Sequence, residues 1–383
     1  MAHIFLTPDK IISGINALKD GQTEILNFGY HALIVTDRTM INLGNVKKVT
    51  DILDQNRQKY TIFSQINSEP TDVMIQEGIK TYNENNCDFL IAVGGGSPID
   101  SMKAIAFMTQ ATSPIASYMG ENIDQERPPM IAIPTTAGTG SEATMFTIIT
   151  DTANNVKMLL KGACLIPDLA IIDPVFSIST PKSVTTSTGV DALCHAIEAY
   201  TSRKAQPFSD IFALSAIKRI FSNLPIVYEE PDNLEARKEM ALAATEAGIA
   251  FNNSSVTLVH GMSRPIGALF HVPHGLSNAM LLERCMYFVY DAAISRFADI
   301  GRYIHVTESN EDLKAAQDFL HSLSVLLQKL SIPTMSAFGI DQKKFYDALD
   351  KMAKDAYISG SPGNTIKDVQ IEDMIRIYKE VYR

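Results

Sequence analysis

An open parallel α/β sheet followed by an all-helical half is the fold class predicted for this chain. Short apolar runs alternate with helical patterns up to residue 172, whereas strand-like runs nearly vanish after Asp173-Pro174. The length, 383 residues, suits two domains of ordinary size. The boundary falls near residue 180, giving an α/β domain over 1–180 and a helical domain over 181–383.

The predicted strands are residues 32–36, 60–63, 89–93, 130–133 and 169–172. Each is apolar on consecutive positions, as strands buried on both faces of a parallel sheet are. Helical segments over 73–85 and 98–109 supply the βαβα alternation. Residues 146–150 and 156–160 flank Asp-Thr-Ala-Asn-Asn and read as a β-hairpin appended to the sheet. The second half reads as helices over 187–202, 208–223, 233–252, 279–290 and 311–330, with the remainder mostly helical.

Composition narrows the partners. A hydrophobic content of 46% with 20% charged residues leaves room for a large core in a globular chain. The net charge of −10, without any Lys/Arg-rich block, argues against nucleic acid and anionic membrane as partners, so an anionic ligand would be held by local dipoles. Four cysteines without CxxC spacing indicate reduced thiols. No signal-peptide pattern and no run of about 18 apolar residues is present. The expectation is a cytoplasmic protein that acts on a small molecule and assembles as a homodimer or higher homo-oligomer.

Two clusters suggest chemistry. Asp191 and His195 stand four apart in a helical pattern, which puts both on one face. They offer half of a divalent-metal site, and His260 and His274, in a Gly/Pro-punctuated segment, can offer the other half. One carboxylate with three imidazoles suits Fe2+ or Zn2+. Taken singly, each histidine reads equally as a satisfied core or surface residue, and Asp191 as a helix-start acid. The second cluster is Phe89-Leu-Ile-Ala-Val-Gly94-Gly95-Gly96-Ser97-Pro98-Ile-Asp100: strand, glycine loop, helix start. With Ser97 as N-cap and Pro98 at the first helical position, free N–H groups and the helix dipole favour a pyrophosphate there. The competing reading is a tight βα turn with a Ser97/Asp100 capping box. Asp37, at a strand end, can accept from adenosine ribose hydroxyls and repel a 2′-phosphate, the NAD-over-NADP logic. The hydroxyls and glycines of residues 134–142 suit a nucleotide wall, or simply a Gly-rich loop before a helix.

Gly94-Gly-Gly-Ser-Pro-Ile-Asp100, Pro134-Thr-Thr-Ala-Gly-Thr-Gly-Ser-Glu142, Pro167-Asp-Leu-Ala-Ile-Ile-Asp-Pro174, Gly189-Val-Asp-Ala-Leu-Cys-His-Ala-Ile-Glu-Ala-Tyr200 and His260…Pro273-His274-Gly275 together resemble, in order, the iron-dependent (group III) alcohol dehydrogenases. The resemblance implies an N-terminal dinucleotide-binding α/β domain, an all-α C-terminal metal-binding domain, and an active site in the cleft between. It implies Asp191, His195, His260 and His274 as ligands of one divalent metal, and Gly94, Gly95, Gly96 and Ser97 at the pyrophosphate of NAD(H). Thr135, Thr136 and Thr139 become the nucleotide wall, Lys157 a cofactor contact, and Asp37 the NAD-selecting acid. The reaction implied is hydride transfer between nicotinamide and a substrate carbon whose oxygen binds the metal.

One position departs from the family. Many members carry a proton-relaying histidine four residues after the third ligand; here that residue is Arg264, which stays protonated. His271 or water then takes the relay. Arg264 is placed to hold a carboxylate, sulfonate or phosphonate, consistent with family members that reduce sulfoacetaldehyde to isethionate; the alternative is a structural ion pair. Pro265 should kink or end the helix there. The rivals are a reductase of neutral aldehydes, of the lactaldehyde or 1,3-propanediol type, and a dehydroquinate-synthase-like lyase that uses NAD transiently. A catalytically dead binder is disfavoured by the intact ligand set.

Overall fold

The structure, a computed structural model, describes residues 2–154 and 156–382. The chain forms two compact units, Leu6–Thr180 and Pro181–Arg383, and Met1–Phe5 groups with the second.

In the first unit, β1 (Lys10–Ser13), α1 (Ala17–Asp20), α2 (Gln22–Leu26), β2 (His31–Val35), α3 (Arg38–Asn42), α4 (Asn45–Gln55), β3 (Lys59–Phe63), α5 (Asp72–Glu84), β4 (Phe89–Gly94), α6 (Gly96–Met108) and β5 (Met130–Pro134) follow in turn. After them come β6 (Phe146–Asp151), β7 (Val156–Lys161) and β8 (Leu169–Ile172). Six strands make a parallel sheet ordered β1-β8-β5-β4-β2-β3. All six β4 residues are buried, because one apolar core packs on each sheet face. The five predicted strands are all present. The edge strand β1 escaped the sequence reading because Lys10-Ile-Ile-Ser13 is short and largely exposed.

Two local expectations need correction. The predicted hairpin does form, with Ile148 opposite Leu159, but as a separate two-stranded antiparallel sheet and not as an extension of the main one. Buried Lys103 on α6 ties it down: its ammonium donates to the carbonyls of Thr144 and Phe146 and to Thr144 Oγ1 at 2.8–3.1 Å. Nor is Ser97 the N-cap of α6. The helix begins at Gly96, Gly95 holds the cap position, and no side chain caps it. Asp100 belongs to no capping box: its oxygens accept from Ser141 Oγ at 2.5 Å and from the Ile148 amide at 3.0 Å. A partly buried carboxylate takes the donors brought to it by the turn after β5 and by the hairpin.

The second unit is helical: α7 (Lys182–Thr201), α8 (Pro207–Glu229), α9 (Leu234–Asn252), α10 (Leu258–Phe270), α11 (His274–Val289), α12 (Ile294–Tyr303), α13 (Asp312–Lys329), α14 (Gln342–Asp347), α15 (Leu349–Ile358) and α16 (Ile371–Val381). Helix α7 is its axis, buried almost throughout its second half. By length and composition alone, α8 could cross a membrane; here it packs on α7 and α9. Helix α10 runs through Pro265 and does not end there. Burial of Leu258, Val259, Met262 and Ile266 along it offsets the missing N–H bond and the ring clash of an internal proline. The four cysteines are free.

Candidate active site

The first unit gathers its candidate ligand groups at the carboxyl ends of β2, β4 and β5, which are neighbours in the sheet. Gly94 pairs with Pro134, and the Thr135 amide donates to Gly94 O at 3.0 Å. Thr36 Oγ1 donates to Val93 O at 2.8 Å, which fixes the end of β2 beside β4. The chain reverses its direction of winding between β2 and β4, and that crevice is where open α/β sheets bind ligands. The glycines are there for close approach. A Cβ on Gly94 would stand 2.4 Å from Pro98, one on Gly95 3.1 Å from Thr136 Oγ1, and one on Gly96 3.1 Å from Thr139 Cγ2. Thr136 and Thr139 therefore line the glycine turn. Thr135 is buried with its hydroxyl unpartnered. An uncapped helix N-terminus behind a glycine turn is a fit for a pyrophosphate.

Asp37 stands at the end of β2 and caps α3, accepting from the Met40 amide at 2.9 Å through one oxygen. Lys157, on the exposed hairpin strand β7, pairs with Glu69 at 2.6 Å.

The second unit gathers the other set. Asp191 and His195 share the buried face of α7, and His260 comes from the first turn of α10. One donor atom from each of these three lies within 4.8 Å of the others. His274 is not in that set but adjoins it. As the first residue of α11, it brings Nε2 to 3.9 Å from Asp191 Oδ1, and 46% of its side chain is exposed. Gly275 permits this approach, because a Cβ there would stand 2.7 Å from Ser187 O and 3.2 Å from Asp191 Cβ. His260 Nε2 is 3.6 Å from Asp191 Oδ1. His195 stacks between Phe251 and His260, at ring centroid distances of 4.3 and 4.4 Å.

Electrostatics follow from burial and mutual charge. Burial works to raise the Asp191 carboxyl, but the adjacent histidines outweigh it and hold it well below the usual range. Burial pushes His195 down to about 3. Burial also opposes charge on His260, yet Glu198 and Asp191 prevail and raise it to about 9.

The donor set fits a divalent cation. Ligands at about 2.0–2.2 Å from a tetrahedral ion lie roughly 3.3–3.6 Å apart, close to the separations between Asp191 and the two imidazoles of His260 and His274. Three of the donor atoms also converge on one point, since Asn278 Nδ2 is 2.6 Å from Asp191 Oδ1, 3.1 Å from His260 Nε2 and 3.2 Å from His274 Nε2. His195 Nδ1 is buried without a partner.

Arg264, one turn beyond His260, is partly buried and donates to Ser361 Oγ at 3.0 Å; among the described residues no carboxylate pairs with it. His271 closes α10 in the left-handed conformation, φ 54°, with its side chain exposed. Two residues with no role in the sequence reading stand at the centre of the cluster: Glu198, bonded to His260, and Asn278. Their signal was helical spacing, Glu198 three residues after His195 and Asn278 four after His274.

A parallel sheet with a glycine-rich βα turn, joined to a helical unit carrying a buried carboxylate–histidine cluster, is the architecture of a metal-dependent dehydrogenase. Comparison with known proteins agrees. The family described as iron-containing alcohol dehydrogenase matches residues 8–174, and its C-terminal counterpart matches 185–382. The NAD-dependent methanol dehydrogenase of Bacillus methanolicus is 33% identical over 383 residues, covering 99% of each chain. A crystal structure of 1,3-propanediol oxidoreductase superposes with a TM-score of 0.95 at 30% identity, covering 100% of both chains. That of sulfoacetaldehyde reductase from Bifidobacterium kashiwanohense in complex with NAD+ gives 0.87 at 27%, covering 100% of this chain and 99% of that one. The chain belongs to the iron-containing alcohol dehydrogenase family.

Proposed function

We propose that this alcohol dehydrogenase is an NAD(H)-linked, metal-dependent reductase of small aldehydes whose far end is anionic, such as sulfoacetaldehyde. In this reading residues 1–180 form the dinucleotide-binding domain and 181–383 the metal-binding domain. Asp191, His195, His260 and His274 hold one divalent cation, Fe2+ or Zn2+. Gly94, Gly95, Gly96 and Ser97 receive the pyrophosphate, Thr135, Thr136 and Thr139 line the nucleotide, and Asp37 accepts from the ribose with the oxygen left over from its cap. Lys157 reaches the cofactor by leaving Glu69. When bound, the cation supplies Lewis-acid polarisation of the substrate oxygen and the nicotinamide supplies the hydride. The residues of the chain orient: the buried face of α7 fixes the carboxylate, and α10 and α11 bring imidazoles to it. His271 or water brings from solvent the proton that aldehyde reduction consumes at the product oxygen, since Arg264 cannot.

The observation that carries the metal-dependent reading is the convergence of the Asp191, His260 and His274 donor atoms. The anionic substrate rests on Arg264, a partly buried guanidinium without a carboxylate partner among the described residues. Its bond to Ser361 favours the second reading, in which Arg264 is structural and the substrate is a neutral aldehyde. The test is NADH oxidation by metal-stripped and Fe2+- or Zn2+-loaded protein with sulfoacetaldehyde and with propionaldehyde. Metal-dependent turnover that favours the charged aldehyde is expected. Turnover without metal overturns the metal reading, and an equal or greater rate on propionaldehyde overturns the anionic one.

A further inference from the structure

We propose that Glu198 is a positioning residue that sets the tautomer of His260, so that the bare nitrogen of that ring faces Asp191. The inference rests on the metal-dependent reading above. Asp191, His195 and Glu198 occupy one face of α7, at i, i+4 and i+7. The Glu198 side chain is fully buried. One of its oxygens, Oε1, accepts from Thr257 Oγ1 at 2.7 Å and from the Val259 amide at 2.6 Å, and Oε2 lies 2.5 Å from His260 Nδ1. Thr257 is the N-cap residue of α10, so the carboxylate from α7 also satisfies one of the open N–H groups at the start of α10.

An ionised carboxylate can only accept, so Nδ1 must carry its hydrogen and the lone pair of the neutral ring lies on Nε2. The opposite side of the ring accommodates this tautomer. Asp191 is also an acceptor, so the Asn278 atom 2.6 Å from it must be the amide nitrogen. The same nitrogen lies 3.1 Å from His260 Nε2 and 3.2 Å from His274 Nε2, so its second hydrogen has a lone pair on His260 Nε2 within reach. The carboxylate holds one ring nitrogen while the other faces the donor focus, an arrangement that elsewhere orients metal-bound histidines.

Glu198→Gln separates this role from plain support of α10. The glutamine oxygen can still accept from Thr257 and Val259, but its NH2 then faces Nδ1, forces that nitrogen to accept, and moves the ring hydrogen to Nε2. Thr257→Val is the companion variant: it removes one bond to the carboxylate and leaves His260 alone. The measurements are Zn2+ affinity by chelator competition, thermal melting of the metal-free proteins, and the His260 tautomer by 15N NMR of histidine-labelled, metal-free protein at a pH above the ring's value of about 9, where the imidazole is neutral. Glu198→Gln should weaken Zn2+ binding by about 10–100-fold and shift the hydrogen from Nδ1 to Nε2, and Thr257→Val should leave affinity within about twofold at a comparable loss of melting temperature. Unchanged Zn2+ affinity in Glu198→Gln, or equal losses of affinity in both variants at equal melting temperature, overturns the proposal and leaves Glu198 a support for α10. A wild-type chain that takes up no Zn2+ or Fe2+ fails at the earlier step and overturns the metal reading itself.

Discussion

Asn278 donates its side-chain amide to Oδ1 of Asp191 across 2.6 Å, with both residues buried. The contact answers the main electrostatic problem of the helical unit, a carboxylate sealed from water, and it matters most when no cation is present. Asn278→Ala should therefore destabilise the metal-stripped protein by about 1.5–3 kcal/mol, the value of a hydrogen bond to a charged group. The Zn2+-loaded protein should lose much less. Paired chemical denaturations with and without metal measure the difference, and equal losses would mean that the amide supports packing and not the charge.

His274 differs from its neighbours in being half exposed. Its removal opens no core cavity. His274→Ala should keep the wild-type circular dichroism while metal occupancy and the NADH-linked rate fall together, as expected of a ligand and not of a fold element. Full occupancy with a normal rate would remove His274 from the site.

Asp37 has two duties in this reading, and a substitution can separate them. Asp37→Asn keeps an N-cap acceptor for the Met40 amide but removes the charge. The ratio of kcat/KM with NADPH to that with NADH should rise by about tenfold, equivalent to about 1.4 kcal/mol of relieved repulsion. An unchanged ratio would place the discriminating acid elsewhere.

In the proposed reading Arg264 decides the substrate class. Arg264→Ala should lower kcat/KM for sulfoacetaldehyde by about one to two orders of magnitude, from lost charge-assisted bonds of about 1.5–3 kcal/mol. Propionaldehyde should be much less affected. Arg264→Lys should rescue in part, since the ammonium keeps the charge and loses the planar fork. Equal losses on both aldehydes would mark the Ser361 contact as the purpose of this side chain.

Lys103 gives a pH signature to the first unit. Burial lowers its pKa to about 8 against the countering charges of Asp100 and Glu142. The unfolded chain, with an ordinary lysine, binds the proton more tightly, so this group contributes stability that increases as pH rises from about 8 toward 10.5. Relative to Lys103→Met, the wild-type unfolding free energy should climb by roughly 1 kcal/mol per pH unit across that window. A flat difference would mean that the three oxygens around the ammonium keep its pKa at the ordinary value.

Much of this fold was legible in the sequence, for a physical reason. Central strands such as residues 89–93 are buried on both faces, so every position is apolar and the run stands out. The edge strand β1 carries no such mark. Of the cluster, Asp191 and His195 were legible because one helix fixes their separation. The approach of His260 and His274 depends on how α10 and α11 meet α7, and motif resemblance supplied what spacing could not. Glu198 and Asn278 were hidden for the opposite reason: a glutamate or asparagine inside a helix looks like surface until its partners on other helices are seen. Ser97 and Asp100 misled because the local capping pattern was complete in sequence, while Ser141 and Ile148, some forty residues away or more, claimed the carboxylate.

The placement of Met1–Phe5 with the second unit gives this protein a timetable. Phe5 packs on Phe208 and Phe212 at ring centroid distances of 5.5 and 5.8 Å, and Ile4 O accepts from Gln206. A ribosome makes the short strap roughly 200 residues ahead of its partners, some 10–40 s at ordinary elongation rates of about 5–20 residues per second. During that interval the whole sheet-bearing unit has emerged between them. The α/β unit is therefore a nested insertion in the biosynthetic order. Any fragment beginning at residue 181 lacks the aromatic contact that Phe5 makes with α8.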